Sequence, residues 1–117
     1  MTFFKKRISA FYAAFNGLFN ALKNETHVKI HFVASLIVLI AGFYFQLSKN
    51  DWLWIILCCA LVIAAELINS AIENICDLID KNYNQKIKYI KDVSAASVLV
   101  LSFFSIIVAF MVFKKYF

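Results

Sequence analysis

A chain of 117 residues with 63% hydrophobic and 16% charged side chains is too apolar for an ordinary soluble domain, whose apolar share is about 45–50%. The absence of proline and the isolation of its two glycines, Gly17 and Gly42, suit unbroken helices, and no alternating apolar/polar run is long enough to suggest a barrel. The net charge of +5 points to anionic lipid rather than nucleic acid, because no soluble basic domain accompanies it.

The expected architecture is a single all-α membrane domain over residues 1–117. Residues 2–24 form an amphipathic helix in which Phe4, Ile8, Phe11, Phe15, Leu18, Phe19 and Leu22 recur at three- and four-residue steps, with Lys5, Arg7, Asn16, Asn20 and Lys23 on the polar side. That pattern fits a helix lying on a membrane surface and equally one packed on its own protein. Asn24, Glu25 and Thr26 interrupt it before a first span over about residues 30–47. Ser48 to Asp51 then form a tight hairpin. A second span runs over about residues 52–80, with Trp52 and Trp54 as interfacial anchors. Asn82 to Ile90 reads as a polar loop, and a third span covers about residues 93–113. It opens on the small residues Ser94, Ala95, Ala96 and Ser97, which let helices approach closely.

Nine of the twelve basic residues lie before the first span or between the second and third, and six of the seven acids, all but Asp51, fall at or beside the same face. The positive-inside rule then places the N-terminus and the second loop in the cytoplasm. Water-soluble cytoplasmic substrates are favoured.

The informative stretch is Ala64 to Lys81, AAELINSAIENICDLIDK. At about 100° per residue, Glu66, Asn69, Ser70, Glu73, Asp77 and Asp80 share a stripe roughly 100° wide. The run from Trp52 to Ala65 carries no charge, so Glu66 falls about 21 Å along a helix entering at Trp52, inside a hydrocarbon layer about 30 Å thick. A carboxylate there costs about 2.5 kcal/mol or more and marks a functional site by default. Glu73, two turns on, reaches the water interface.

A buried carboxylate suits a general base, and Asn69, one turn along, could orient it. Magnesium in phosphoryl transfer takes one or two carboxylates plus substrate phosphates, and Glu73 and Glu25 could share such an ion. Lys91 supplies a cation for a polyphosphate, and Asp92 meets the positive end of the third helix. No glycine-rich loop is present, which excludes the P-loop and the dinucleotide fingerprint. A site at the inner boundary receives a soluble donor from one side and a lipid hydroxyl from the other, which is the arrangement for in-line phosphoryl transfer. The rival reading is a small oligomeric transporter or proton-relay subunit titrating at Glu66; Glu25, Lys91 and Asp92 have no evident use in it. His27 and His31, four residues apart, could form half a metal site. Cys58, Cys59 and Cys76 lack zinc spacing and read as small packing residues.

In ELINSAIENICD (66–77), KDVSAASV (91–98) and GLFNALKNE (17–25), the sequence resembles the small prokaryotic integral-membrane diacylglycerol kinases, a family that includes the undecaprenol kinases. The likeness covers nearly the whole chain in the same order. It implies an ATP- and Mg²⁺-dependent lipid kinase of the bacterial inner membrane, working as a homotrimer with sites shared between subunits. By position in the motif it implies Glu66 as catalytic base with Asn69 beside it, Glu25 and Glu73 as the metal pair, and Lys91 and Asp92 as the pair contacting ATP. Asn82, Tyr83 and Asn84 fall in the loop that covers the nucleotide, and Lys6 or Arg7 takes the place of a basic residue that helps bind it. His31 stands where diacylglycerol-specific members carry an acid, and histidine there looks more like the undecaprenol branch.

Overall fold

The computed structural model describes residues 2–117. Four α-helices follow in order, α1 (Phe3–Asn24), α2 (Thr26–Phe45), α3 (Lys49–Ile79) and α4 (Gln85–Phe113), and a 3₁₀ turn (Lys114–Tyr116) ends the chain. α2, α3 and the α4 stretch are each long and apolar enough to cross a membrane.

α1 starts at Thr2, whose hydroxyl accepts from the Lys5 N–H at 3.4 Å. No residue of this helix is buried, so its aromatic face, Phe4, Phe11, Phe15 and Phe19, is uncovered by the rest of the chain. The break after it is narrower than the sequence suggests. Glu25 alone is extended, at φ −103° and ψ 114°, and serves both helices: its N–H donates to Ala21 O at 2.8 Å, and its carbonyl accepts from Lys29 N at 3.1 Å. α2 therefore begins at Thr26 rather than near residue 30.

α2 ends in a Schellman closure. Gln46 adopts a left-handed conformation (φ 54°), its N–H donates to Phe43 O at 3.3 Å, and the Leu47 N–H donates to Gly42 O at 3.2 Å. Ser48 then caps α3 through its hydroxyl, which accepts from Asp51 N at 3.2 Å. The hairpin is thus residues 46–48, and Lys49 to Asp51 already belong to the helix.

α3 presses on α2 at Gly42, where an added Cβ would stand 2.7 Å from the Trp52 ring. Trp52 is accordingly a half-buried packing residue stacked on Phe43, with ring centroids 4.8 Å apart, whereas Trp54 is exposed as an anchor would be. Overpacking such a contact costs about 1–3 kcal/mol. Gly42→Ala is expected to lower the thermal unfolding temperature in detergent, and an unchanged transition would mean that the tryptophan moves aside freely.

The same end of the bundle holds a polar cluster invisible in the sequence. Asp51 is 4% exposed and accepts from Lys115 Nζ at 2.8 and 3.0 Å and from Tyr116 Oη at 2.9 Å. Tyr116 Oη also accepts from Ser48 N at 3.2 Å. Lys115 does more than stop the last helix: it ties the C-terminus to the hairpin over the apolar cluster of Leu47, Ile55 and Val112.

α3 buries Asp51, Ile55, Cys58, Val62, Glu66, Asn69, Ser70 and Cys76, mostly at steps of three and four residues, so one stripe faces the bundle along its whole length. At 31 residues it is about 46 Å long, well beyond a hydrocarbon layer of about 30 Å. Its closest association is with α4, against the small residues at the start of the expected third span: Ser94 and Val98 are buried. That helix starts earlier than the sequence suggests. Asn84 caps it, its side-chain oxygen accepting from Lys86 N at 3.0 Å and Ile87 N at 3.3 Å. The residues read as a polar loop up to Ile90 form its first turns, because glutamine and lysine are good helix formers in water. Lys91 and Asp92 therefore lie nearly two turns inside α4, and the connection from α3 is only residues 80–84.

Candidate active site at the C-terminal end of α3

Glu66 is 3% exposed, and Asn69 and Ser70 beside it are also buried. Oε2 of Glu66 lies 3.8 Å from Nε2 of His31 on α2, while Oε1 has no hydrogen-bond partner. A buried carboxylate oxygen with an unused lone pair is costly and is what a waiting proton acceptor requires.

Asn69 does not orient Glu66. Its Nδ2 donates instead to Glu73 Oε1 at 3.1 Å, and its Oδ1 is buried without a partner. The reason is the lean of helical side chains toward the N-terminus, which brings Glu73 back onto Asn69 and carries Glu66 away from it. Glu25 reaches α3 as expected but docks one residue along: its Oε1 accepts from Asn74 Nδ2 at 3.0 Å. The same amide donates to Ser70 O at 2.7 Å.

Asn74 was missed because it lies about 40° beyond the edge of the acid stripe, on the flank that α1 covers. A cleft of about 450 Å³ lies there, between Ala14, Gly17, Asn20, Ala21 and Glu25 on one side and Leu67, Ser70 and Asn74 on the other. The small residues of α1 at positions 14, 17 and 21 were the available signal, since they recur on one helical face.

The remaining expected site residues divide. Lys91 Nζ donates to Asp77 Oδ1 at 2.7 Å, bringing it to the acid stripe of α3. Asp92 accepts from Lys88 on its own helix at 2.7 Å, so the two side chains have different partners in this chain. In the connection, Asn82 N donates to Asp80 Oδ1 at 2.9 Å, Tyr83 is exposed, and the carboxamide oxygen of Asn84 is committed to capping. Lys6 is not brought to Glu25: the offset of nineteen positions corresponds to about 28 Å along a helix. Arg7, the other candidate, lies over the Phe3 ring, 5.0 Å from its centroid. His31 turns to Glu66, and no group of three or more His, Cys, Asp or Glu side chains poised for a metal occurs among the described residues. Cys58, Cys59 and Cys76 are free thiols, two of them buried.

One end of α3 thus carries a sealed carboxylate and, further on, Glu73 held by the Asn69 amide, Glu25 of the α1–α2 junction held by the Asn74 amide, and Asp77 held by a lysine from α4. The family model for prokaryotic diacylglycerol kinase matches residues 12–113. The undecaprenol kinase of Bacillus subtilis (strain 168) is 33% identical over 104 residues, a match covering 89% of this chain and 85% of that one. The chain is a membrane protein and belongs to the prokaryotic diacylglycerol kinase family.

Proposed function

We propose that this lipid kinase transfers the γ-phosphoryl of ATP to the hydroxyl of a membrane lipid, undecaprenol or diacylglycerol, at the cytoplasmic face of the bacterial inner membrane. The observation that carries this reading is the position of Glu66: buried, with a free oxygen, and directly beneath the polar group of Asn69 and Glu73. Glu66 takes the proton of the lipid hydroxyl as that oxygen attacks the γ-phosphorus, and ADP leaves in line. A transporter or proton relay has no part for Glu25 docked on Asn74 or for the lysine drawn to Asp77.

Glu25 and Glu73 fit magnesium. Each spends one oxygen on an amide donor and keeps the other without such a partner among the described residues, and the buried Asn69 Oδ1 adds a neutral oxygen lacking a partner. Two carboxylates completed by substrate phosphates is the usual magnesium site of this chemistry. Glu25 and Glu73 would hold the ion, which would offset charge on the phosphates of ATP. Lys91, on the same side, supplies a further cation to the nucleotide, with Asp92 and the exposed Tyr83 and Asn82 available around it.

The working unit is a homotrimer, with α1 lying on the inner surface of the membrane. The chain is only 21 Å across in its thinnest direction, about two helices, which leaves large apolar side chains of α3 such as Leu57, Leu61 and Ile68 uncovered. Lys6, about 28 Å along α1 from Glu25, contributes to a neighbour's nucleotide. The test is a γ-labelled ATP assay on the purified protein in vesicles holding undecaprenol or diacylglycerol. Label is expected in at least one lipid and only with magnesium; label in neither contradicts the proposal.

A further inference from the structure

Each turnover of the reaction proposed above leaves a proton on Glu66, and the fold hinders its departure. The side chain is 4% exposed, and the basic group within 4 Å of it among the described residues is His31 Nε2, at 3.8 Å. His31 itself is 24% exposed, so the imidazole bridges the sealed carboxylate and the outside. It also forms part of the wall of an apolar cavity of about 320 Å³ between α2, α3 and α4, lined among others by Val38, Ile55, Val62 and Ile106. Besides His31, those walls carry few polar groups. From α3 the cavity receives the thiols of Cys58 and Cys59, and from α4 the hydroxyls of Ser102 and Ser105. On its own helix His27 and Lys29 lie nearer the α1 junction, where Lys23 and Glu25 are the charged neighbours, Glu25 being held by Asn74.

Histidine is the side chain suited to exchanging a proton near neutral pH. We propose that His31 is the positioning residue for the base: its Nε2 receives the proton that Glu66 has taken from the lipid and so returns Glu66 to the carboxylate for the next turnover. The inference rests on the lipid kinase reading. In the first step the lipid O–H bond breaks, its proton passes to Glu66, and the lipid oxygen forms a bond to the γ-phosphorus. The bond from that phosphorus to the bridging oxygen breaks, its electron pair leaving with ADP. In the second step the carboxylic acid gives its proton to Nε2 of neutral His31, and the imidazolium releases a proton to water. Closing 3.8 Å to hydrogen-bond distance takes a shift of about 1 Å.

The experiment uses the full-length protein in vesicles containing both lipid alcohols, with ATP and magnesium. It compares wild type, Glu66→Gln, and His31→Gln, His31→Phe and His31→Ala, each checked for a cooperative thermal transition. His31→Gln, which keeps a polar side chain, and His31→Phe, which keeps the ring, are both expected to lower kcat by about 100-fold, the low end of what proton-transfer catalysis supplies. KM for ATP and lipid stays within about twofold, since ground-state binding is untouched. Added imidazole restores turnover to His31→Ala but not to Glu66→Gln, and a fall in kcat at acid pH is expected in wild type and not in His31→Gln. Wild-type kcat in folded His31 variants overturns the inference, as does a loss with an unaltered pH profile and no recovery with imidazole. A fully active His31→Gln beside an inactive Glu66→Gln removes this inference alone. Wild type phosphorylating neither lipid, or Glu66→Gln at full rate, removes the kinase mechanism and this with it.

Discussion

Glu66→Gln is expected to lower lipid phosphorylation by about 100-fold or more, the range that a general base supplies, while ATP binding persists. The substitution preserves volume and leaves a polar group in the same pocket, so the buried contacts of a side chain 3% exposed are kept. What it removes is the ability to accept a proton. ATP binding survives because Glu66 touches none of the residues assigned to the nucleotide; its polar neighbour is His31. Phosphorylation of each lipid measured beside equilibrium ATP binding separates the two effects. A Gln variant at wild-type rate would end the assignment of the base.

Glu73→Ala and Glu25→Ala are each expected to raise the magnesium concentration needed for half-maximal activity by at least about 10- to 100-fold, the loss typical even of residues that only support a metal's ligands. Mn²⁺ provides a readout independent of turnover, because its electron paramagnetic resonance signal reports the bound fraction directly. Glu73 is held by Asn69 at 3.1 Å and Glu25 by Asn74 at 3.0 Å. Asn74→Ala is therefore expected to shift the magnesium requirement in the same direction as Glu25→Ala, and by less, because the carboxylate remains while its orientation is lost. Unchanged metal titrations in Glu25→Ala and Glu73→Ala would count against a shared ion at this end of α3.

Helix number and order were legible because the chain is apolar throughout its spans and changes character abruptly at Glu25 and at residues 46–48. The burial of Glu66 was legible too: an uncharged run of fourteen residues precedes it, which sets it far along an apolar helix by rise alone. The start of α4 was not, since hydropathy locates where a helix enters lipid and says nothing of the turns it continues in water. Partners within the stripe were harder still. Spacing puts Asn69 within reach of both Glu66 and Glu73, and the N-terminal lean of helical side chains decided for Glu73. Contacts between distant segments left no local pattern at all: Asp51 meets Tyr116 across 65 residues, and Glu25 meets Asn74 across 49.

The central claim is spatial, a carboxylate sealed inside the bundle below two acids that face the same water. It is tested most directly by placing single cysteines at positions 25, 66 and 73, in a chain with Cys58, Cys59 and Cys76 replaced, and labelling with a membrane-impermeant maleimide in right-side-out and inverted vesicles. Positions 25 and 73 are expected to label from the cytoplasmic face only, and position 66 from neither. Labelling at 66, or labelling of 25 and 73 from opposite faces, would contradict it.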